Sequence, residues 1–140
     1  DKRVPADFAQ AVLSGRDLVI FSDGTPSRTF CYVADAVAGY VLALVRGVGD
    51  VFNIGSDGPE TSIVGLADEY AAVAREKFAY QGKVRFAQSG DRDYLVHNPQ
   101  RRCPDLTKAR TLLGYAPKTG LRVGIERYLR HLIEERALEP

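Results

Sequence analysis

Short apolar runs and helical periodicities alternate along the chain. Phe8, Val12 and Leu13 recur at helical spacing and stop at Ser14-Gly15, where glycine can adopt the left-handed conformation that closes a helix, so Pro5 to Ser14 is predicted to be helical. Leu18-Val19-Ile20-Phe21, bounded by Asp17 and by Ser22-Asp23-Gly24, reads as a buried strand entering a tight turn. Thr29-Phe30-Cys31-Tyr32-Val33 is rich in aromatic and β-branched residues, an Ala/Val/Leu-rich helix runs from Asp35 to Val45, and Val51-Phe52-Asn53-Ile54 follows. Residues 29 to 54 are therefore expected to form a strand–helix–strand unit with parallel strands. Ser62 is a candidate N-cap for a second long helix, with Ile63, Leu66, Tyr70, Val73, Ala74 and Phe78 on its apolar face. Val84-Arg85-Phe86-Ala87 reads as a half-buried strand, and Gln88 to Pro104 as a long polar loop. Asp105 should cap a short helix through Leu112, and Ile125, Tyr128, Leu129, Leu132 and Ile133 mark a final helix from about Leu121 to Glu135. The order is that of an α/β domain with short, mostly parallel strand pairs and about five helices.

Composition narrows what such a domain can do. The 140 residues carry 19 Lys+Arg against 18 Asp+Glu, a net charge of +1, so no polybasic arm for nucleic acid and no acidic tail is present. Hydrophobic residues make up 45%, enough for one core, and no apolar run approaches the roughly 20 residues of a membrane span. Cys31 and Cys103 are too few for a disulfide framework and too far apart for a metal knuckle, which favours free thiols and a cytoplasmic location. The first residue, Asp1, is not Met, which suggests processing or a fragment with an upstream part missing.

Several chemistries lack their residues. A nicotinamide-binding fold of Rossmann type needs a Gly-rich turn from strand into helix, so that backbone N–H groups can approach the pyrophosphate. Gly47-Val48-Gly49 runs from a helix towards a strand, the reverse order. No Tyr has a Lys four residues on, so the proton-transfer pair of short-chain dehydrogenases is missing as well. His97 with Cys103 makes a poor zinc site without a second clustered pair, and Asp91 and Asp93 beside Arg92 read as a hydrated charge cluster.

Three ordered segments carry a resemblance. Leu18-Val19-Ile20-Phe21-Ser22-Asp23-Gly24, Ser27-Arg28-Thr29-Phe30-Cys31-Tyr32-Val33-Ala34-Asp35 and Val51-Phe52-Asn53-Ile54-Gly55 are followed by Arg102-Cys103-Pro104-Asp105 and Leu112-Leu113-Gly114-Tyr115-Ala116-Pro117. Together they resemble the C-terminal portion of the extended short-chain dehydrogenases that act on nucleotide sugars, the NAD-dependent epimerase/dehydratase family. UDP-galactose 4-epimerase, dTDP-glucose 4,6-dehydratase and UDP-glucuronate decarboxylase types belong to it. In such enzymes the NAD-binding Rossmann half and the Tyr/Lys pair lie upstream, and the C-terminal portion supplies the nucleotide-sugar site. The resemblance thus implies a small substrate-binding subdomain spanning residues 1 to 140, lacking the Rossmann half and binding no NAD itself. The parent would use NAD to oxidise the sugar at C4 before epimerisation, elimination or decarboxylation, and would be a homodimer through its Rossmann half.

The resemblance also assigns roles. Phe21 matches an aromatic that packs on the uracil or thymine base, and Arg28 matches the arginine that binds the diphosphate with its planar fork. Arg102, or Arg101 beside it, matches an arginine that reaches the sugar or its carboxylate, which tilts the reading towards the decarboxylase type. Tyr94 is a sugar-contact candidate by its place in the same loop, and Arg3 lies where the family carries an Arg-Val near the nucleotide. Gly65 stands where the family often has Glu, the reciprocal half of a capping box. The expected ligand is a UDP- or dTDP-sugar. The rival reading is a stand-alone module that binds a nucleoside diphosphate, or serves as an interaction domain, without catalysis.

Overall fold

A computed structural model describes residues 3–46, 49–88 and 99–138. The first periodicity forms α1 (Val4–Leu13), with Pro5 in the first turn, where a missing N–H breaks no helical bond, and Phe8, Ala9, Ala11 and Val12 buried. It ends in a Schellman motif: Arg16 N–H donates to Ala11 O at 2.9 Å and Gly15 N–H to Val12 O at 3.1 Å, with Gly15 at φ +65°. The chain then enters β1 (Leu18–Ile20), whose Leu18 and Ile20 are buried.

Among the described residues, five short strands make two small sheets. β1 pairs in parallel with β4 (Val84–Phe86), Leu18 opposite Val84 and Ile20 opposite Phe86. β2 (Ser27–Arg28) is the middle strand of the other sheet, antiparallel to β3 (Thr61–Ser62) and parallel to β5 (Arg101–Arg102). Two of the three pairings are thus parallel, as expected of this α/β arrangement.

The main core forms where α1, α3 (Ile63–Phe78) and α4 (Leu121–Leu138) pack around β1. Phe8 meets Tyr70 edge-on at 5.7 Å, and Leu66, Val73 and Leu129 are fully buried between the helices. Tyr80 lies across Gly82, and its hydroxyl donates to Arg16 O at 2.6 Å, which ties the entry of β4 to the entry of β1. A smaller core joins α2 (Val33–Arg46) to the short wide-turn helix Ala109–Leu113: Leu106, Leu113 and Tyr115 are buried against Leu42, Phe52 and Ile54. No helix among the described residues is long and apolar enough to cross a membrane.

The caps follow the sequence with one change of partner. Ser62 Oγ accepts from Gly65 N–H at 3.0 Å and starts α3 without the reciprocal Glu, while Asp105 Oδ1 accepts from Thr107 N–H at 2.8 Å. Asp35, in the first turn of α2, instead accepts from Thr119 N–H at 2.8 Å and anchors the approach to α4.

The strand–helix–strand unit expected over 29 to 54 is not formed. Residues 29–32 and 51–54 are irregular, and only Ser27–Arg28, just ahead of the aromatic run, pairs in a sheet. Their apolar content suits a buried ladder, but no described segment offers them a strand edge. The same region leaves apolar surface uncovered: Val37, Tyr40, Val41, Leu44 and Val45 on α2, together with Val51, are all at least half exposed, Leu44 by 86%.

Gly39 is the one buried residue of α2. A Cβ there would lie 2.4 Å from Ile54 Cγ2 and 2.8 Å from Tyr115 Cε2. Gly→Ala in an open helix stabilises by about 1 kcal/mol; Gly39→Ala should instead destabilise by about 1–3 kcal/mol through overpacking. Urea unfolding checks the sign, and a stabilised variant would show that α2 does not seat on Tyr115.

Candidate functional site

One cleft gathers most of the residues singled out in the sequence. Its cavity of ≈ 510 Å³ is bounded by the start of α1, the end of β1, strands β2 and β5 and the first residue of α3. Arg3, Phe21, Arg28 and Arg102 all line it. Each arrives by a local cause. Arg3 is the N-cap residue of α1, and its carbonyl accepts from Ala6 N–H and Asp7 N–H at 2.9 and 3.0 Å. Phe21 is the first residue after buried β1, where the strand meets the Ser22–Gly24 turn, and its ring is 41% exposed. Arg28 and Arg102 are direct neighbours across the parallel β2–β5 ladder, a pairing secured by Ser27 N–H donating to Gln100 O at 2.7 Å.

Arg28 is half-buried, and its Nη1 donates to Ser27 O at 2.6 Å and reaches Gln100 O at 3.4 Å. Burial, and then the positive charge of Arg102, lower its pKa from the ordinary guanidinium value. Both causes penalise the cation, and an anion placed against the two guanidiniums would offset that penalty by its attraction. Arg3 adds a third guanidinium to the cleft, and among the described residues Asp7 is the one carboxylate lining it. Phe30, which the sequence pattern places in a strand with no site role, also lines the cleft.

Arg28 and Arg102 also line a second, more open cavity of ≈ 560 Å³, bordered by Cys31, Gly55, Ser56 and Cys103. Arg101 faces this side. It forms a bidentate pair with Glu60, Nε to Oε2 at 2.8 Å and Nη2 to Oε1 at 2.6 Å, and Ser27 Oγ donates to Glu60 Oε2 at 3.3 Å. The neighbouring arginines are therefore sorted by the strand: Arg102 joins Arg28, while Arg101 is held by Glu60 and lines only the second cavity. Glu60 was not legible as a site residue, because 41 positions separate it from Arg101. Tyr94, like Asp91, Asp93 and His97, lies outside the described residues. Among the described residues no group of three metal-ligating side chains comes together.

Among the described residues β1 runs into the Ser22–Gly24 turn and then β2, while β3 passes straight into α3 with no Gly-rich loop between them, so no strand-to-helix turn of the Rossmann kind is formed there.

Comparison with known proteins places the fold. Residues 1–55 match the family model described as "NAD dependent epimerase/dehydratase family". Over 127 residues the chain is 35% identical to UDP-glucuronic acid decarboxylase 4 of Arabidopsis thaliana, an alignment covering 89% of this chain and 26% of that protein. Its structure matches an epimerase from Methanothermobacter thermautotrophicus with a TM-score of 0.80 and 27% identity, over 98% of this chain and 39% of the other. The chain belongs to the NAD-dependent epimerase/dehydratase family. A further neighbour in that family is the UDP-glucuronic acid 4-epimerase of Bacillus cereus, solved with UDP-glucuronic acid and NAD. It matches with a TM-score of 0.73 and 28% identity over 94% of this chain and 40% of that one. The chain spans about a quarter of the Arabidopsis family member and about two fifths of the two solved ones.

Electrostatics at the rim give a pH dependence. The hydrogen bond from Arg101, helped by its charge, holds the Glu60 carboxyl below its ordinary range, and Arg110 does the same for Asp57. Carboxyls depressed in the folded state contribute stability above their unfolded values and lose it as pH falls through the folded ones. Thermal unfolding should therefore turn downward on the acid side, and Glu60→Gln should flatten that limb slightly, as suits an exposed pair. An unchanged acid limb in Glu60→Gln would mean that the Arg101 pair carries no linkage.

Proposed function

We propose that this chain is the C-terminal, substrate-holding portion of an NAD-dependent nucleotide-sugar enzyme, and that its cleft takes a nucleoside diphosphate. The observation that carries the reading is the Arg28–Arg102 pair, a half-buried and an exposed guanidinium side by side on adjacent strands at a cleft that also presents Phe21. The two guanidiniums would grip the diphosphate, Phe21 would stack on the uracil or thymine base, and Arg3 would approach from the far wall. Stacking tolerates either base, which is why UDP and dTDP remain the two candidate nucleotides.

The sugar would lie on the side of the second cavity, where Arg101 and Arg102 face it. A guanidinium there suits a uronic acid carboxylate, and the names of the relatives favour the same substrate class: UDP-glucuronic acid decarboxylases in plants and vertebrates, and a UDP-glucuronic acid 4-epimerase. The parent would be a lyase or an isomerase accordingly. Its NAD would be held by the Rossmann half, beyond this chain, and would supply reversible hydride transfer at the sugar. In this chain the residues bind and orient. The exposed apolar face of α2, together with Val51, is the surface that such a half would cover, and a cytoplasmic homodimer is the expected setting.

Calorimetric titration of UDP and dTDP tests the reading. Saturable binding is expected, with Arg28→Ala weakening it by about tenfold or more, the scale of a charged hydrogen bond. Phe21→Ala should cost about 1–3 kcal/mol, as the loss of one base stack does. No saturable binding, with Arg28→Ala indistinguishable from the unaltered chain, would overturn it.

A further inference from the structure

β5 is two residues long, lies at the edge of its sheet and, among the described residues, pairs with β2 alone. Both of its residues are exposed arginines, so no buried face fixes its register, and a polar strand of this kind slips readily. A slip of one residue would set Arg101 opposite Arg28 and turn Arg102 away, because side chains alternate along a strand. In the register observed, Arg101 stands opposite Ser27 and Arg102 opposite Arg28.

One side chain outside β5 tells the two registers apart. Glu60 immediately precedes β3, at the opposite edge of the sheet. Its carboxylate accepts from Ser27 Oγ on β2 at 3.3 Å and from Arg101 Nε and Nη2 on β5 at 2.8 and 2.6 Å, so a single residue bridges all three strands. Glu60 lines neither of the two cavities.

We propose that Glu60 is a positioning residue that sets the register of β5: by taking Arg101, it selects Arg102, of two successive arginines, as the neighbour of Arg28 in the cleft. A bidentate carboxylate–guanidinium pair is directional, and a one-residue slip would carry Arg101 out of it. The register role stands on the sheet alone; its consequence for a ligand rests on the function proposed above. That consequence has a distinctive sign. A carboxylate near an anion weakens the anion's binding by its charge, whereas Glu60 acting through the register strengthens it.

The test is Glu60→Gln, read by amide exchange in NMR and by calorimetric titration of UDP. Ser27 N–H, which donates to Gln100 O at 2.7 Å, reports the β2–β5 ladder, and Leu18 N–H, which donates to Lys83 O at 2.8 Å, serves as reference in the other sheet. Ser27 should exchange about fivefold faster relative to Leu18, the upper range for an exposed pair of good geometry, and UDP should bind about fivefold more weakly. The charge-swapped double variant Glu60→Arg with Arg101→Glu should recover both. Arg102→Gln should cost less UDP affinity in the Glu60→Gln background than in the unaltered chain, since Arg101 then shares its place. Unchanged Ser27 exchange, tighter UDP binding, or an equal cost of Arg102→Gln in both backgrounds would overturn the proposal. Faster Ser27 exchange in a chain that binds no UDP, altered or not, would uphold the register role and sink the nucleotide reading instead.

Discussion

Two guanidiniums held as neighbours on adjacent parallel strands repel each other, and the rest of this molecule is arranged so that they cannot separate. Arg28 and Arg102 stand opposite in the β2–β5 ladder, and the backbone bond from Ser27 to Gln100 fixes the strands at that point. β2 is further secured by β3, which runs directly into α3, the helix with the most buried residues of the fold. The repulsion is thus balanced by a sheet whose third strand is rooted in the main core. An anion placed between the two guanidiniums would offset their mutual repulsion.

Sorting by strand geometry explains why adjacent arginines do different work. Side chains alternate along a strand, so Arg101 and Arg102 leave β5 in different directions, although both border the second cavity. Arg102 turns to Arg28, and Arg101 meets Glu60 in a bidentate pair at the rim of the second cavity. The aromatic side of the cleft comes from a different construction. Buried β1 carries Phe21 out at its end, and the start of α1 brings Arg3 to face it. Among the described residues, β1, β2, β5 and the start of α1 thus position these side chains.

What could be read from the sequence divides along the same line. The helices announced themselves through apolar spacing and through caps such as Gly15 and Ser62, and β1 through a buried run bounded by turn residues. Strands β2, β3 and β5 are two residues each, Ser27–Arg28, Thr61–Ser62 and Arg101–Arg102, polar throughout, and no periodicity can reveal them. The runs at 29–33 and 51–54 misled for the opposite reason, since β-branched and aromatic residues declare that a segment would suit a sheet without saying which edge receives it. Phe21, Arg28 and Arg102 were found through a family resemblance rather than through any local pattern. Phe30 and Glu60 carried no such signal, because their places depend on contacts that the linear order does not contain.

The walls of the cleft are far apart along the polypeptide: Arg28 and Gln100, joined at the β2–β5 ladder, are separated by 72 residues. A loop of that length closes at an entropic cost that only the finished helices around it can offset, so the ladder belongs among the late events of folding. If the cleft holds an anion as proposed, damage in the intervening helices would loosen that seat before it unravels the molecule. Ligand affinity is then a more sensitive gauge of the native state than helix content, and an anion filling the seat would in turn knit the two ends of that span together.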